Sequence, residues 1–138
     1  MSKNKYKVPN WIKHTIKNEL YQFWKNQELI EELKQDIIES SPEPADGQPK
    51  GNATSNTVEQ KTIKILSSRR ILETERRVEY IQEAMKRLNK EEQEIVKIIF
   101  KERYNVTLAE TQKYITKDTY YNVYNKIIYF TALEFGYI

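Results

Sequence analysis

The chain has 138 residues, 38% of them hydrophobic and 31% charged, with 10 tyrosines, no cysteine and a formal net charge of +3. That length holds about one domain's worth of core, and the lack of cysteine excludes disulfide scaffolds, thiolate zinc sites and cysteine nucleophiles. No window approaches the roughly 18 uninterrupted apolar residues of a membrane span, and MSKNKYKVPNW lacks the apolar core of a signal peptide, so the expected location is the cytoplasm.

The charge is unevenly spread. Residues 1–18 hold five lysines and no acid, residues 19–46 have a balance of −6, and residues 61–77 a balance of +4. Opposite blocks of this kind either pair with each other or mark separate contact surfaces. The single histidine, His14, reads as a surface residue, having no second imidazole with which to share a metal.

Four segments follow in chain order. Residues 1–40 join a basic N-terminus to an amphipathic helix that starts at Pro9 and Asn10. Its apolar residues Ile12, Ile16, Leu20, Phe23, Ile30 and Ile37 recur at spacings of three, four and seven, and Leu33 and Ile38 widen the stripe. Residues 41–55, SPEPADGQPKGNATS, contain three of the four prolines and two of the three glycines. Proline removes backbone donors and glycine loosens the chain, so this segment is a linker.

Residues 56–88 form a second long helix of about 30 residues. Asn56 and Glu59 have capping-box spacing at its start. Val58, Ile65, Leu72, Ile81, Met85 and Leu88 make its apolar stripe, with Arg69, Arg70, Arg76 and Arg77 mostly off it. A helix of this length either pairs in a coiled coil or packs on the first helix as a hairpin.

Residues 89–138 hold three shorter helices. Asn89 and Glu92 repeat the capping box for a helix from Lys90 to about Arg103, with Ile95, Ile98, Ile99 and Phe100 inward. The segment YNVT then breaks the chain, Thr107 caps a helix through Ile115, and Thr116 caps a last helix that runs to Phe135 and stops at Gly136. Such a trihelical unit presents its last helix to the DNA major groove. Tyr120, Val123, Ile127 and Thr131 fall inward with Ile115, whereas Lys117, Thr119, Tyr121, Asn122, Asn125 and Lys126 fall outward.

Asparagine pairs bidentately with adenine, and threonine and tyrosine bond phosphates or bases, so the outward set suits a groove. Residues 107–138 nevertheless balance three lysines against three acids, and phosphate contacts supply most non-specific affinity. The basic blocks at residues 1–18 and 61–77 are the candidates to provide them. Arg69, Arg70, Arg76 and Arg77 would then touch phosphates or a partner; in the plainer reading they only solvate a coiled-coil face.

Several segments resemble one known group, the RinA- and ArpU-type phage transcriptional activators. The resemblance runs from about Ile16 to Ile138, through NELYQFWKNQELIEELKQDII, the proline-glycine loop, KTIKILSSRRILETERRVEYIQEAMKRL and the ending ALEFGYI. It implies a C-terminal helix-turn-helix similar to region 4 of sigma factors. Thr116, Lys117 and Thr119 match the Ser-Arg-x-Thr opening of that group's recognition helix, and Tyr120 and Tyr121 match its aromatic pair. The chain departs from the pattern at Asn122, Val123 and Tyr124, where arginine, tryptophan and arginine are usual. It departs again at Glu110 and Lys113 in the helix before, and in having no glycine at the turn.

The expected fold is therefore all-α, a long helical hairpin or coiled-coil segment followed by a sigma region 4-like helix-turn-helix. The expected function is a DNA-binding regulator that activates phage or prophage late genes. Its partners would be double-stranded DNA at a late promoter, host RNA polymerase and a second copy of the chain. Neither a cofactor nor catalysis is expected, because Glu31, Glu32 and Asp36 sit on a solvated helix face and no nucleophile and base can be paired. Two alternatives stand beside it: a small terminase-like packaging protein, whose DNA-binding unit would usually come first, and a regulator that binds protein and whose helix-turn-helix does not bind DNA on its own.

Overall fold

A computed structural model describes residues 5–40, 64 and 68–138. The expected linker at 41–55, the Asn56–Glu59 cap, and Val58 and Ile65 lie outside these residues. The regular structure that is described is entirely helical. It comprises α1 (Asn10–Ser40), α2 (Arg69–Lys86), α3 (Lys90–Val96), α4 (Val106–Lys113) and α5 (Lys117–Phe135), with a π-helical turn at Lys97–Lys101 that continues α3. The chain divides into two compact units, residues 1–24 with 77–138, and residues 25–76.

In the first unit, Ile12, Ile16, Leu20 and Phe23 of α1 are buried at the expected spacings of four, four and three. That spacing keeps one face of a 3.6-residue helix apolar. Near the end of α2, Val78, Ile81, Ala84 and Leu88 are buried. Gln93 of α3 then donates through Nε2 to the Met85 and Leu88 carbonyls at 2.8 and 3.2 Å, adding a side-chain bond to the Leu88 N–H that the Met85 carbonyl already accepts at the end of α2.

The Asn89 capping box forms as the spacing predicts. Asn89 Oδ1 accepts from the Glu92 N–H at 2.8 Å, and Glu92 Oε1 accepts from the Asn89 N–H at 3.1 Å. The helix it starts does not run uniformly to Arg103, however. After Val96 the chain widens into the π turn, whose closing bond runs from the Glu102 N–H to the Lys97 carbonyl at 2.9 Å. Arg103 follows with φ 62, and the Tyr104 N–H reaches the Ile98 carbonyl at 3.0 Å. Side-chain packing overrides uniform α geometry here: Phe100, fully buried, stacks on Tyr124 at 5.6 Å and lies 5.2 Å from the ring of Tyr21.

α5 packs on both α3 and α4. Val123, Ile127, Ile128 and Ala132 form its apolar seam. Near the N-terminus of the chain, Val8 is buried and the Tyr6 ring meets Tyr129 and Phe130 edge-on at 5.4 and 5.6 Å.

In the second unit, Ile30, Ile71 and Thr74 are buried and Leu33 and Ile37 partly so, while Ile38 and Leu72 are exposed. The exposure of Leu72, 46%, corrects the expected stripe of α2. The buried row instead advances from Ile71 in steps of three or four, and Leu72 lies one residue, about 100°, off it.

Candidate functional site

The last two helices are joined by three residues, Tyr114, Ile115 and Thr116. α4 starts at Asn105, whose Oδ1 accepts from the Leu108 N–H at 2.8 Å. The expected cap was Thr107, which instead lies inside the first turn. Both residue types cap, but Asn105 follows directly on the bend at Arg103 and Tyr104 and has the extended ψ of 175° that a cap needs.

α4 ends on Tyr114 in the left-handed conformation, φ 58 and ψ 33. The Ile115 N–H closes the helix by donating to the Ala109 carbonyl at 3.1 Å, and the Ile115 side chain is buried. The Tyr114 N–H also reaches the Ala109 carbonyl, so this is a wider closure than the usual one, with tyrosine in the left-handed conformation that glycine usually takes. Thr116 then caps α5 as expected: its hydroxyl accepts from the Thr119 N–H at 3.2 Å and donates to Thr119 Oγ1 at 2.9 Å.

Tyr120, Val123, Ile127, Thr131 and Ile115 are all buried, as the inner set read from the sequence requires. Tyr120 donates its hydroxyl to the Tyr104 carbonyl at 2.8 Å, tying the start of α5 to the bend before α4, and burial pushes that hydroxyl up to about 12. Burial, with Tyr21 next to it, likewise raises Tyr124. On the outer face Lys117, Thr119, Tyr121 and Asn122 are exposed together and Asn125 is half-buried.

Lys126 departs from the expected outer set. Its Nζ lies 2.7 Å from Glu92 Oε2, and only a quarter of its side chain is accessible. Burial works against the Glu92 carboxylate. The hydrogen bonds from Lys126 and from the Asn89 N–H outweigh it and hold the group below its ordinary range. The same contact holds Lys126 above the usual lysine value. A long side chain at the edge of the outer face has turned inward to a carboxylate on α3.

The arginines of α2 are each paired with an acid or exposed. Arg69 pairs with Glu73 at 3.1 Å, and Arg77 faces Glu19 at 4.0 Å. Arg70 and Arg76 stand exposed. Each is separately solvated or paired, and exposed pairs of this kind contribute little to stability.

Sequence reasoning did not bring together an open hollow of about 570 Å³ next to α5. Its lining includes Lys13, Lys17 and Tyr21 of α1, Arg103, Tyr104 and Asn105 of the bend, and Tyr121 and Asn125 of α5. Its charged lining is wholly cationic. The signal was present in two pieces, the lysine block before residue 18 and the helix break after Arg103, with nothing local to join them.

His14, Glu31, Glu32 and Asp36 are exposed, and among the described residues no three His, Asp or Glu side chains are grouped to hold a metal ion. No described helix is long and apolar enough to cross a membrane. Comparison with known proteins finds no matching family model, and no curated protein or solved structure with significant similarity.

Proposed function

We propose that the chain is a DNA-binding transcriptional regulator in which α3, α4 and α5 act as a helix-turn-helix unit and the outer face of α5 reads promoter DNA. The junction of α4 and α5 carries this reading. A three-residue turn held by Tyr114, Ile115 and Thr116 joins two packed helices, and the second keeps Lys117, Thr119, Tyr121 and Asn122 exposed in its first two turns. Those side chains are base and phosphate readers by chemistry. Similarity to the RinA- and ArpU-type activators supports a late phage promoter as the target and host RNA polymerase as a partner.

Gel shift of the phage's own late promoter region tests the reading. A retarded band that survives an excess of unrelated duplex is expected. Retardation equal on both DNAs would remove the claim of sequence reading, and no retardation on either would remove DNA binding.

A second reading, a regulator that works by binding protein, is favoured by one observation. With Lys126 drawn to Glu92, the outer face of α5 retains Lys117 as its only cation. Footprinting with and without polymerase separates the two: protection by the chain alone supports the first, and protection only when polymerase is present supports the second.

A further inference from the structure

We infer that the hollow lined by Lys13, Lys17 and Arg103 grips the phosphodiester backbone of duplex DNA, supplying the electrostatic hold that the face of α5 lacks. The inference rests on the DNA-binding reading above and names the residues that would provide its affinity.

The three cations converge from distant parts of the chain on one open concavity. They share it with Tyr121 and Asn125 of α5. A strand flanking a groove occupied by α5 therefore has this hollow beside it. Lys34, Arg69, Arg77, Lys86, Arg87, Lys97 and Lys126 each have a carboxylate within ion-pair distance. Among the described residues Lys13, Lys17 and Arg103 have none, and no acid lines the hollow.

Two of these charges crowd one ring. The Arg103 guanidinium lies 4.0 Å from the centre of the Tyr21 ring, and Lys17 Nζ lies 5.8 Å from the same centre. Their separation is thus within about one Debye length, ~10 Å at 0.1 M salt, and their repulsion is only partly screened. A phosphate between them would relieve it. Arg103 is also held in the left-handed region at φ 62, which costs a side-chain-bearing residue roughly 1 kcal/mol or more. Strain of this kind persists only where the surrounding structure holds it in place, and it clusters at ligand-binding sites.

The tyrosines decide between backbone and bases. Tyr21 has cations over its ring. Tyr124 is stacked on Phe100 with 18° between the planes and on Tyr120 with 11°. The faces of these rings are therefore occupied, which leaves Tyr121 as the exposed ring of the lining that a base could stack on. The rest of the lining offers a ligand chiefly hydroxyls and positive charge, the set that bonds phosphate oxygens.

The test is fluorescence anisotropy of the full chain with a labelled duplex of about 30 base pairs, titrated at salt concentrations from roughly 50 to 200 mM. Lys13→Gln, Lys17→Gln and Arg103→Gln should each reduce the slope of log K against log salt by about 0.9, and together by about 2.7. Arg103→Lys should keep the slope, since it keeps the charge. Thermal melts followed by circular dichroism establish that each variant is folded.

If the wild-type chain binds duplex and the folded triple variant shows the same slope, the hollow does not grip the backbone and the DNA-binding reading survives. If the wild-type chain binds no duplex, both fail. Tighter binding of a single strand than of the duplex, lost in the same triple variant, would also overturn the inference.

Discussion

Lys126 Nζ and Glu92 Oε2 lie 2.7 Å apart, joining α5 to the first turn of α3, and the same Glu92 completes the capping box with Asn89. One carboxylate thus serves a helix start and an inter-helix tie. Lys126→Met leaves that largely covered carboxylate with one partner fewer and should lower stability by about 1–2 kcal/mol. Thermal melting measures this. The variant should keep the wild-type salt dependence of DNA binding, because its charge is already spent within the fold.

The pH dependence of that contact follows from its two shifts. Glu92 is lowered, so its contribution is present above the ordinary carboxylate value of 4.5 and is lost as pH falls through the lowered value. Lys126 is raised, so its contribution is present below 10.5 and is lost as pH rises through the raised value. The gap in melting temperature between wild type and Lys126→Met should be flat across neutral pH and should narrow at both extremes. A gap that changed steadily between pH values of about 6 and 8 would contradict the assignment, since neither shift falls there.

Tyr114 and Gly136 close helices in the same left-handed conformation, at φ 58 and φ 81. Tyr114 is 89% exposed, so little packing is lost with its ring. Tyr114→Gly should raise stability by about 0.5–1 kcal/mol, the relief of left-handed strain exceeding the added entropy of the unfolded chain. Gly136→Ala should lower it by about 1 kcal/mol, although nothing lies within 4 Å of the added methyl group. Opposite signs in urea unfolding test both together.

Lys117 and Asn122 are exposed on the face assigned to base reading. Lys117→Ala with Asn122→Ala should leave the melting temperature near that of wild type and weaken promoter binding. A lost bidentate base contact costs about 1–3 kcal/mol, roughly five- to 150-fold in affinity. Competition against unrelated duplex should show the ratio of specific to non-specific binding falling. An unchanged ratio would move the reading face elsewhere.

Thr131 is fully buried and its hydroxyl oxygen has no hydrogen-bond partner among the described residues. A buried hydroxyl without a partner costs about 1–3 kcal/mol relative to water. Thr131→Val keeps the shape and removes the polar atom, so it should raise stability by about 1 kcal/mol. A lower melting temperature would mean that the hydroxyl bonds an ordered water.

The starts and stops of helices were the most legible features, because their chemistry is local. Asn89 with Glu92, Thr116 with the first turn of α5, and Gly136 all act within a few residues of themselves. The inner face of α5 was equally legible from its period. Thr107 was mistaken for the cap of α4 because two competent residues stand two apart, and the bend at Arg103 selects Asn105. Lys126 was assigned to the outer face because nothing in its own helix announces a carboxylate on α3. The cationic hollow was illegible for the same reason: Lys13, Lys17 and Arg103 become neighbours only when α1 and the bend come together.

The π turn at Lys97–Lys101 makes tolerance of a lost residue depend on where the residue is lost. Excising one of those five positions would let the turn regularise, since π turns commonly accommodate a single supernumerary residue. Because the extra residue is accommodated within one turn, its removal there would leave the heading of the chain unchanged, whereas the same excision from the α-helical part of α3 would rotate everything downstream by about 100°. A deletion scan of this segment would then find the π turn tolerant and its α-helical flank intolerant.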